Sequence, residues 1–172
     1  MDVQQVKRAK KGDTESFTQL VLEIKDQAYR IAYSYLQNEQ DSMDAVCDAM
    51  EKAYKNLRKL RDDSLFKTWF IRIVINEAKL QLGKRKQAIL AADRLFSRQT
   101  SEDHESLEER MDLQQILRQM DRTERLIIYL KYFAGYTLEE IADLVNMPVG
   151  TVKTRLYGNL KAIRAKLNYR EV

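Results

Sequence analysis

The chain has 172 residues, 44% of them hydrophobic, with five Gly and one each of Pro, Cys and His. That apolar share excludes general disorder, a lone Cys47 excludes an internal disulfide framework, and Cys47 with His104 alone cannot build a zinc site. The net charge of +4 is unevenly spread: residues 1–92 hold 17 Lys/Arg against 13 Asp/Glu, residues 93–112 hold 3 against 7, and residues 113–172 hold 10 against 6, a pattern of two mildly basic lobes across an acidic connector that suits polyanion-facing modules.

So few Gly and Pro among abundant Leu, Ala, Lys, Glu, Gln and Arg predict an all-α protein. From Asp13 to about Gln37, Phe17, Leu20, Val21, Ile24, Ala28, Ile31, Ala32 and Tyr35 fall at helical spacing and mark one buried face. A second helix begins near Asp41, whose carboxylate caps it, and carries Ala45, Val46, Ala49, Met50, Ala53, Tyr54 and Leu57 as its apolar residues. Residues 58–64 are polar and read as a loop. Phe66 to Asn76 is rich in β-branched residues and by propensity alone suits a strand. Its continuation through Leu82 predicts a longer helix ending near Gly83. Residues 97–109 are acidic and almost free of large apolar groups, the composition of a linker. Helical periodicity returns with Leu113, Ile116, Leu117 and Met120, then Leu126, Ile127, Leu130 and Phe133. The division expected is 1–92, a connector over 93–112, and 113–172. No run approaches the ~20 apolar residues of a membrane helix, and the first residues lack a signal peptide's apolar core. A soluble, cytoplasmic protein that does not insert into membranes is expected.

The most specific stretch runs from Gly135 to Leu156. Thr137 and Glu140 form a capping box, in which each side chain satisfies a free amide at a helix start. Ile141, Ala142 and Val145 are the buried face of a short helix. Asn146 suits the left-handed conformation that ends it, and Pro148 prevents continuation. A second helix from about Gly150 buries Val152, Leu156 and Leu160. This is a helix-turn-helix, whose second helix enters the major groove. Thr151, Lys153, Thr154, Arg155 and Tyr157 face outward, with donors for guanine or phosphate and a methyl for thymine.

With these residues in view the chain resembles the extracytoplasmic-function sigma factors, the group IV sigma subunits of bacterial RNA polymerase. Gly135 to Ala142 followed by Pro148 to Leu156 resembles their fourth conserved region. Asp41 to Tyr54 resembles the polymerase-binding helix of the second region, and Phe66 to Asn76, trailed by Lys84-Arg85-Lys86, resembles its promoter-melting element. The resemblance covers most of residues 13–167 in the family's order. It implies two helical domains and an alternative sigma factor that brings core RNA polymerase to stress-response promoters. Asp44, Cys47, Asp48 and Met50 would lie on the polymerase-docking helix. Leu60, Arg61, Asp62, Asp63 and Ser64, with Asn76 and secondarily Trp69, would capture an extruded base of the −10 element. Lys84, Arg85 and Lys86 would hold phosphates, and Thr151, Lys153, Thr154, Arg155 and Tyr157 would read the −35 element. The connector would thread the polymerase channel. An inhibitory anti-sigma factor, often membrane-anchored, is implied as a further partner. Cys47, Asp48, Met120-Asp121-Arg122 and Gly158 depart from the family's usual Gln, Glu, Leu-Pro and Arg.

Other readings predict different behaviour. A stand-alone helix-turn-helix regulator would bind duplex tightly without polymerase, commonly as a dimer on paired half-sites. A helical adaptor would make the basic face of the second motif helix incidental. An enzyme finds no nucleophile–base pair and no phosphate-cradling glycine loop in this sequence, and neither a cofactor nor a metal is expected. Trp69 reads as core before it reads as a pocket wall, Cys47 as a bystander or contact residue rather than a redox sensor, and His104 as solvated.

Overall fold

The computed structural model describes residues 2–95 and 113–168. The acidic run from Ser97 to Glu109, with His104, lies outside them. Eight helices are described: α1 (Val3–Lys10), α2 (Thr14–Leu36), α3 (Glu39–Asn56), α4 (Phe66–Leu95), α5 (Leu113–Gln119), α6 (Arg122–Tyr132), α7 (Leu138–Val145) and α8 (Val149–Asn168). Two 3₁₀ turns, Leu57–Lys59 and Asp63–Leu65, sit between α3 and α4. No strand occurs among the described residues, so the β-branched run in α4 is helical.

Three boundaries differ from the sequence expectation. α1 was not foreseen; Asp2 caps it by accepting from the Gln4 amide at 2.9 Å, and Val6 and Ala9 bury its inner face. α3 is capped by Asn38, whose Oδ1 accepts from the Asp41 amide at 2.8 Å. Asp41 therefore lies inside the first turn, where its charge complements the helix dipole. α4 runs through Gly83 to Leu95. A helical glycine costs about 1 kcal/mol relative to Ala, and the Lys, Arg, Gln, Ala, Ile and Leu that follow Gly83 favour helix enough to carry it on.

α1 to α4 form a front lobe whose core is built on Leu20, Ile31, Phe66, Phe70, Ile71 and Ile75, all under 2% exposed. α2 ends at Gln37, in the left-handed region at φ 54°. α5 to α8 form a rear lobe around Ile116, Leu126, Ile127, Leu130, Ile141 and Leu144. Asp121 starts α6 by accepting from the amides of Thr123 and Glu124, which does at this turn what a Leu-Pro pair does elsewhere.

The lobes lie against each other, α6 on α2 and α7 on α4. Polar contacts cross the seam. Gln27 donates to the Ala134 carbonyl, Arg122 to that of Leu36, and Lys79 to that of Val145, while Arg72 pairs with Asp143. It is also incompletely filled: an open cavity of about 280 Å³ lies between α2 and α6, walled by Tyr29, Tyr33, Tyr129 and Phe133. Voids forfeit dispersion contacts, so this seam adheres less than a core of equal area.

Arg125 binds the seam from within. Its side chain is buried, and every partner is a backbone carbonyl: Nε and Nη2 donate to Ser34 and Tyr35, and Nη1 to Leu117, Arg118 and Met120 at 3.1–3.2 Å. Ser34 and Tyr35 are among the last carbonyls of α2, Leu117 and Arg118 among those of α5, with Met120 just beyond it; the Leu117 carbonyl also accepts from the Met120 amide at 3.3 Å. One guanidinium thus closes two negative helix ends. Desolvation lowers its pKa, yet arginine starts so far above neutrality that it stays charged.

Candidate nucleic-acid interface

Three surfaces carry the residues singled out by the sequence. The first is the outer face of α3. Asp44 is exposed and accepts from Gln40 at 3.0 Å, Cys47 is an exposed free thiol, and Met50 is half-buried against the core. Asp48 is half-buried and turned toward α4, accepting from Gln81 at 3.0 Å. Exposed Met43 and Tyr54 extend this face; Tyr54 belongs to the apolar set expected of this helix, yet it lies at the rim with its ring edge-on to Phe17 and much of it open to solvent.

The second surface is the turn between α3 and α4 with the outer stripe of α4. Asp62 accepts from the Ser64 amide and hydroxyl at 2.9 and 2.6 Å, a local knot that shapes the turn. Arg61, Asp62 and Ser64 are exposed; Leu60 is buried and contributes backbone rather than side chain outward. Trp69 is half-buried, 6.0 Å from the Phe66 ring, which agrees with a core role first. Asn76 is exposed on the stripe that carries Trp69. On its flank Arg72 and Lys79 meet α7, so the rear lobe lies beside this stripe. Burial lowers the pKa of Lys79. Lys84, Arg85 and Lys86 are exposed, with Lys84 3.9 Å from Asp48 and Arg85 3.2 Å from Asp41. Exposed pairs of this kind are weak, and a phosphate can compete for both cations.

The third surface is the helix-turn-helix. The Thr137 amide donates to Glu140 at 2.8 Å and the Glu140 amide to Thr137 at 3.2 Å, completing the capping box. Asn146 takes φ 60° and ends α7. The Met147 amide returns to the Ala142 carbonyl, and Pro148 accepts from the amides of Thr151 and Val152 as α8 begins. Val152 and Leu156 are buried, which turns Thr151, Lys153, Thr154, Arg155 and Tyr157 to solvent. Thr154 donates its hydroxyl to the Gly150 carbonyl at 2.9 Å, leaving it an acceptor and a methyl for a partner. Among the described residues neither Lys153 nor Arg155 is in an ion pair. Tyr136, beneath the motif, has its phenol pushed up to about 12 by burial and no hydrogen-bond partner for Oη.

The surfaces are thus a partly apolar helix face, a knotted loop beside an aromatic and amide stripe, and the outer face of α8, whose Lys153 and Arg155 are in no ion pair among the described residues. Sequence reasoning missed Lys10, Arg125, Arg72 and Lys79, which hold these parts together. Their partners are mostly backbone carbonyls or residues far along the chain, and no local pattern records either.

The chain matches the family model of Sigma-70 region 2 over residues 20–88 and that of Sigma-70 region 4 over residues 110–161. It is 33% identical over 149 residues to the RNA polymerase sigma factor SigV of Bacillus subtilis, covering 86% of this chain and 88% of that protein. It is 32% identical over 179 residues to the ECF RNA polymerase sigma factor SigW of Bacillus subtilis, covering 94% of each. Among solved structures, the sigma factor RpoE of Bartonella quintana, in complex with the anti-sigma factor NepR, superposes with a TM-score of 0.71 at 22% identity, over 91% of this chain and 99% of that one. CnrH, in complex with the cytosolic domain of CnrY, gives 0.70 at 23% identity over 99% of both chains.

Proposed function

The chain belongs to the extracytoplasmic-function RNA polymerase sigma factors and is an alternative sigma factor directing transcription initiation, and from that premise we propose how its surfaces share the work. Residues 1–92 act as the domain that binds core polymerase and the −10 element, 93–112 as the connector, and 113–172 as the −35 reader. Asp44, Cys47, Asp48 and Met50 dock on core polymerase, with Met43 and Tyr54 adding apolar area. Arg61 to Ser64, beside Trp69 and Asn76, receive a base flipped from the −10 element. Flipping costs a few kcal/mol, which stacking and polar contacts must offset. Lys84, Arg85 and Lys86 hold nearby phosphates, which position without reading sequence. Bond-forming chemistry is left to polymerase, and the protein itself acts in the cytoplasm; no helix among its described residues is long and apolar enough to cross a membrane. An anti-sigma factor that covers the docking face of α3 completes its partners.

The observation that carries this reading is the outer face of α8. α7, fixed by its capping box and its left-handed end at Asn146, sets the start of α8, which presents Lys153, Thr154, Arg155 and Tyr157 together, free of internal partners among the described residues except for one hydroxyl bond. Reading two promoter elements at once requires α7 to leave α4, and the incompletely packed seam, crossed by polar contacts, is compatible with that step. The test is multi-round transcription with core enzyme on a promoter library randomised in both windows. Lys153→Ala and Tyr157→Ala are expected to lower use of promoters with a matched −35 element on the order of tenfold, the equivalent of about 1–3 kcal/mol per base contact. Equal losses on promoters lacking that element would contradict the assignment, and tight sequence-specific binding of duplex without polymerase would favour a stand-alone regulator.

A further inference from the structure

The turn between α3 and α4, built on two short 3₁₀ turns, is held at Leu60 and at Asp63 by one side chain from α1. Lys10, the last residue of α1, donates through Nζ to the Leu60 carbonyl and to the Asp63 carboxylate. Its own carbonyl accepts from Arg58 Nε at 3.2 Å. The Lys10 side chain is 21% exposed and that of Asp63 14%, so this pair is better shielded from solvent than the other described pairs. α1 is itself fixed by Val6 and Ala9 against α2. The chain from Leu60 to Asp63 therefore spans two contacts to a single cationic atom; Arg61 and Asp62 lie between them, and Asp62 is knotted to Ser64 just beyond. α1 lies ahead of residues 20–88, the part that matches Sigma-70 region 2.

We propose that Lys10 is a positioning residue for promoter reading: by tying the Leu60 carbonyl to the Asp63 carboxylate it presets the conformation in which the turn receives a −10 base. The physical reason is preorganisation. A loop that must order when DNA arrives spends binding energy on its own entropy, and it spends it for right and wrong bases alike. A loop already set admits the base that fits. A lysine serves here because its three donors can reach a carbonyl and a carboxylate at once. The proposal rests on the reading that residues 61–64 handle the −10 element, and the experiment separates the two.

Holoenzymes are assembled from core polymerase and full-length wild-type, Lys10→Met, Lys10→Arg and Asn76→Ala chains. Each transcribes a duplex library randomised at the −10 and −35 windows, and the transcripts are sequenced. The expected result is a fall of fivefold or more in −10 base enrichment for Lys10→Met, with −35 enrichment within twofold of wild type and Lys10→Arg close to wild type. Circular dichroism checks that Lys10→Met keeps its helices, and Lys10→Gln serves the same comparison if the methionine variant does not fold. Unchanged −10 enrichment for the charge-removed chain, alongside a loss for Asn76→Ala, overturns the anchor alone. An equal fall in both windows overturns it as well, since it marks general damage. If wild type itself shows no −10 enrichment, the underlying reading of the loop fails and the anchor with it.

Discussion

The two lobes are built on different physical terms. The front lobe sets phenyl rings among its aliphatic core: Phe17, Phe66 and Phe70 are buried there, and Phe66 and Phe70 stack with centroids 6.2 Å apart. The rear lobe buries no phenylalanine among its described residues. It closes over branched aliphatic side chains and the single ring of Tyr136, and leans on Arg125, whose donors finish helix ends instead of filling volume. A core that holds phenyl rings is sensitive to lost volume, whereas a small core closed by a guanidinium is sensitive to lost hydrogen-bond geometry. The recognition helix therefore sits on the lobe with less apolar mass, and its order depends on polar detail: the arginine, the capping box and the Asn146 turn.

Several substitutions break or sharpen this contrast. The largest effect is expected in the front lobe: Phe70→Ala leaves a ring-sized cavity and costs about 3–5 kcal/mol, read by urea unfolding. A loss near 1 kcal/mol would show a core able to collapse, contrary to the picture of tight packing. Next comes Arg125→Met, which keeps length and apolar bulk but strands carbonyls at the ends of α2 and α5; about 2–4 kcal/mol is expected. Arg125→Lys should recover little of it, because an ammonium lacks the fork that reaches both helix ends. Hydrogen exchange of α6 and α7 amides is the measurement, and full protection in the lysine variant would refute the fork argument.

Smaller effects fall on the surfaces. Gly158→Ala should stabilise α8 by about 0.5–1 kcal/mol, because a Cβ there meets nothing within 4 Å. A lower melting temperature would show a need for glycine that the structure does not reveal. Last is the seam pair Arg72–Asp143, whose side chains are 42% and 61% exposed. A double-mutant cycle should find a coupling below about 1 kcal/mol that shrinks with added salt. A larger, salt-independent value would mean the lobes are joined by charge more firmly than the exposed geometry implies.

Much of this was legible in the chain itself. The helical stripes of α2, α3 and α6 and the whole of the helix-turn-helix are local patterns, in which spacing, caps and turn residues sit within a few positions of one another. Gly83 shows where local rules mislead: a residue read as a stop is outweighed by the helix formers that follow it. α1 escaped notice because two buried residues, Val6 and Ala9, in an eight-residue helix leave too short a period to register. Asn38 took the cap expected of Asp41, since both can serve and only the path of the incoming chain chooses between them. The clasps made by Lys10 and Arg125 were out of reach for another reason. Lys10 reaches 50 residues along the chain and Arg125 reaches 91, and both bond to carbonyls, which every residue possesses.

The Arg125 contacts say something about how the molecule can be opened. A carbonyl oxygen does not titrate, and a guanidinium keeps its proton throughout the biological range, so acid or alkali has no grip on this fastening. Ionic strength, which loosens the exposed Arg72–Asp143 pair, has little purchase on donors enclosed by backbone. What can release Ser34 and Tyr35 is substitution: water, urea or an arriving protein that supplies donors of its own. Separation of the lobes is then governed by competition for hydrogen bonds, and its sensitivity to denaturant should far exceed its sensitivity to pH.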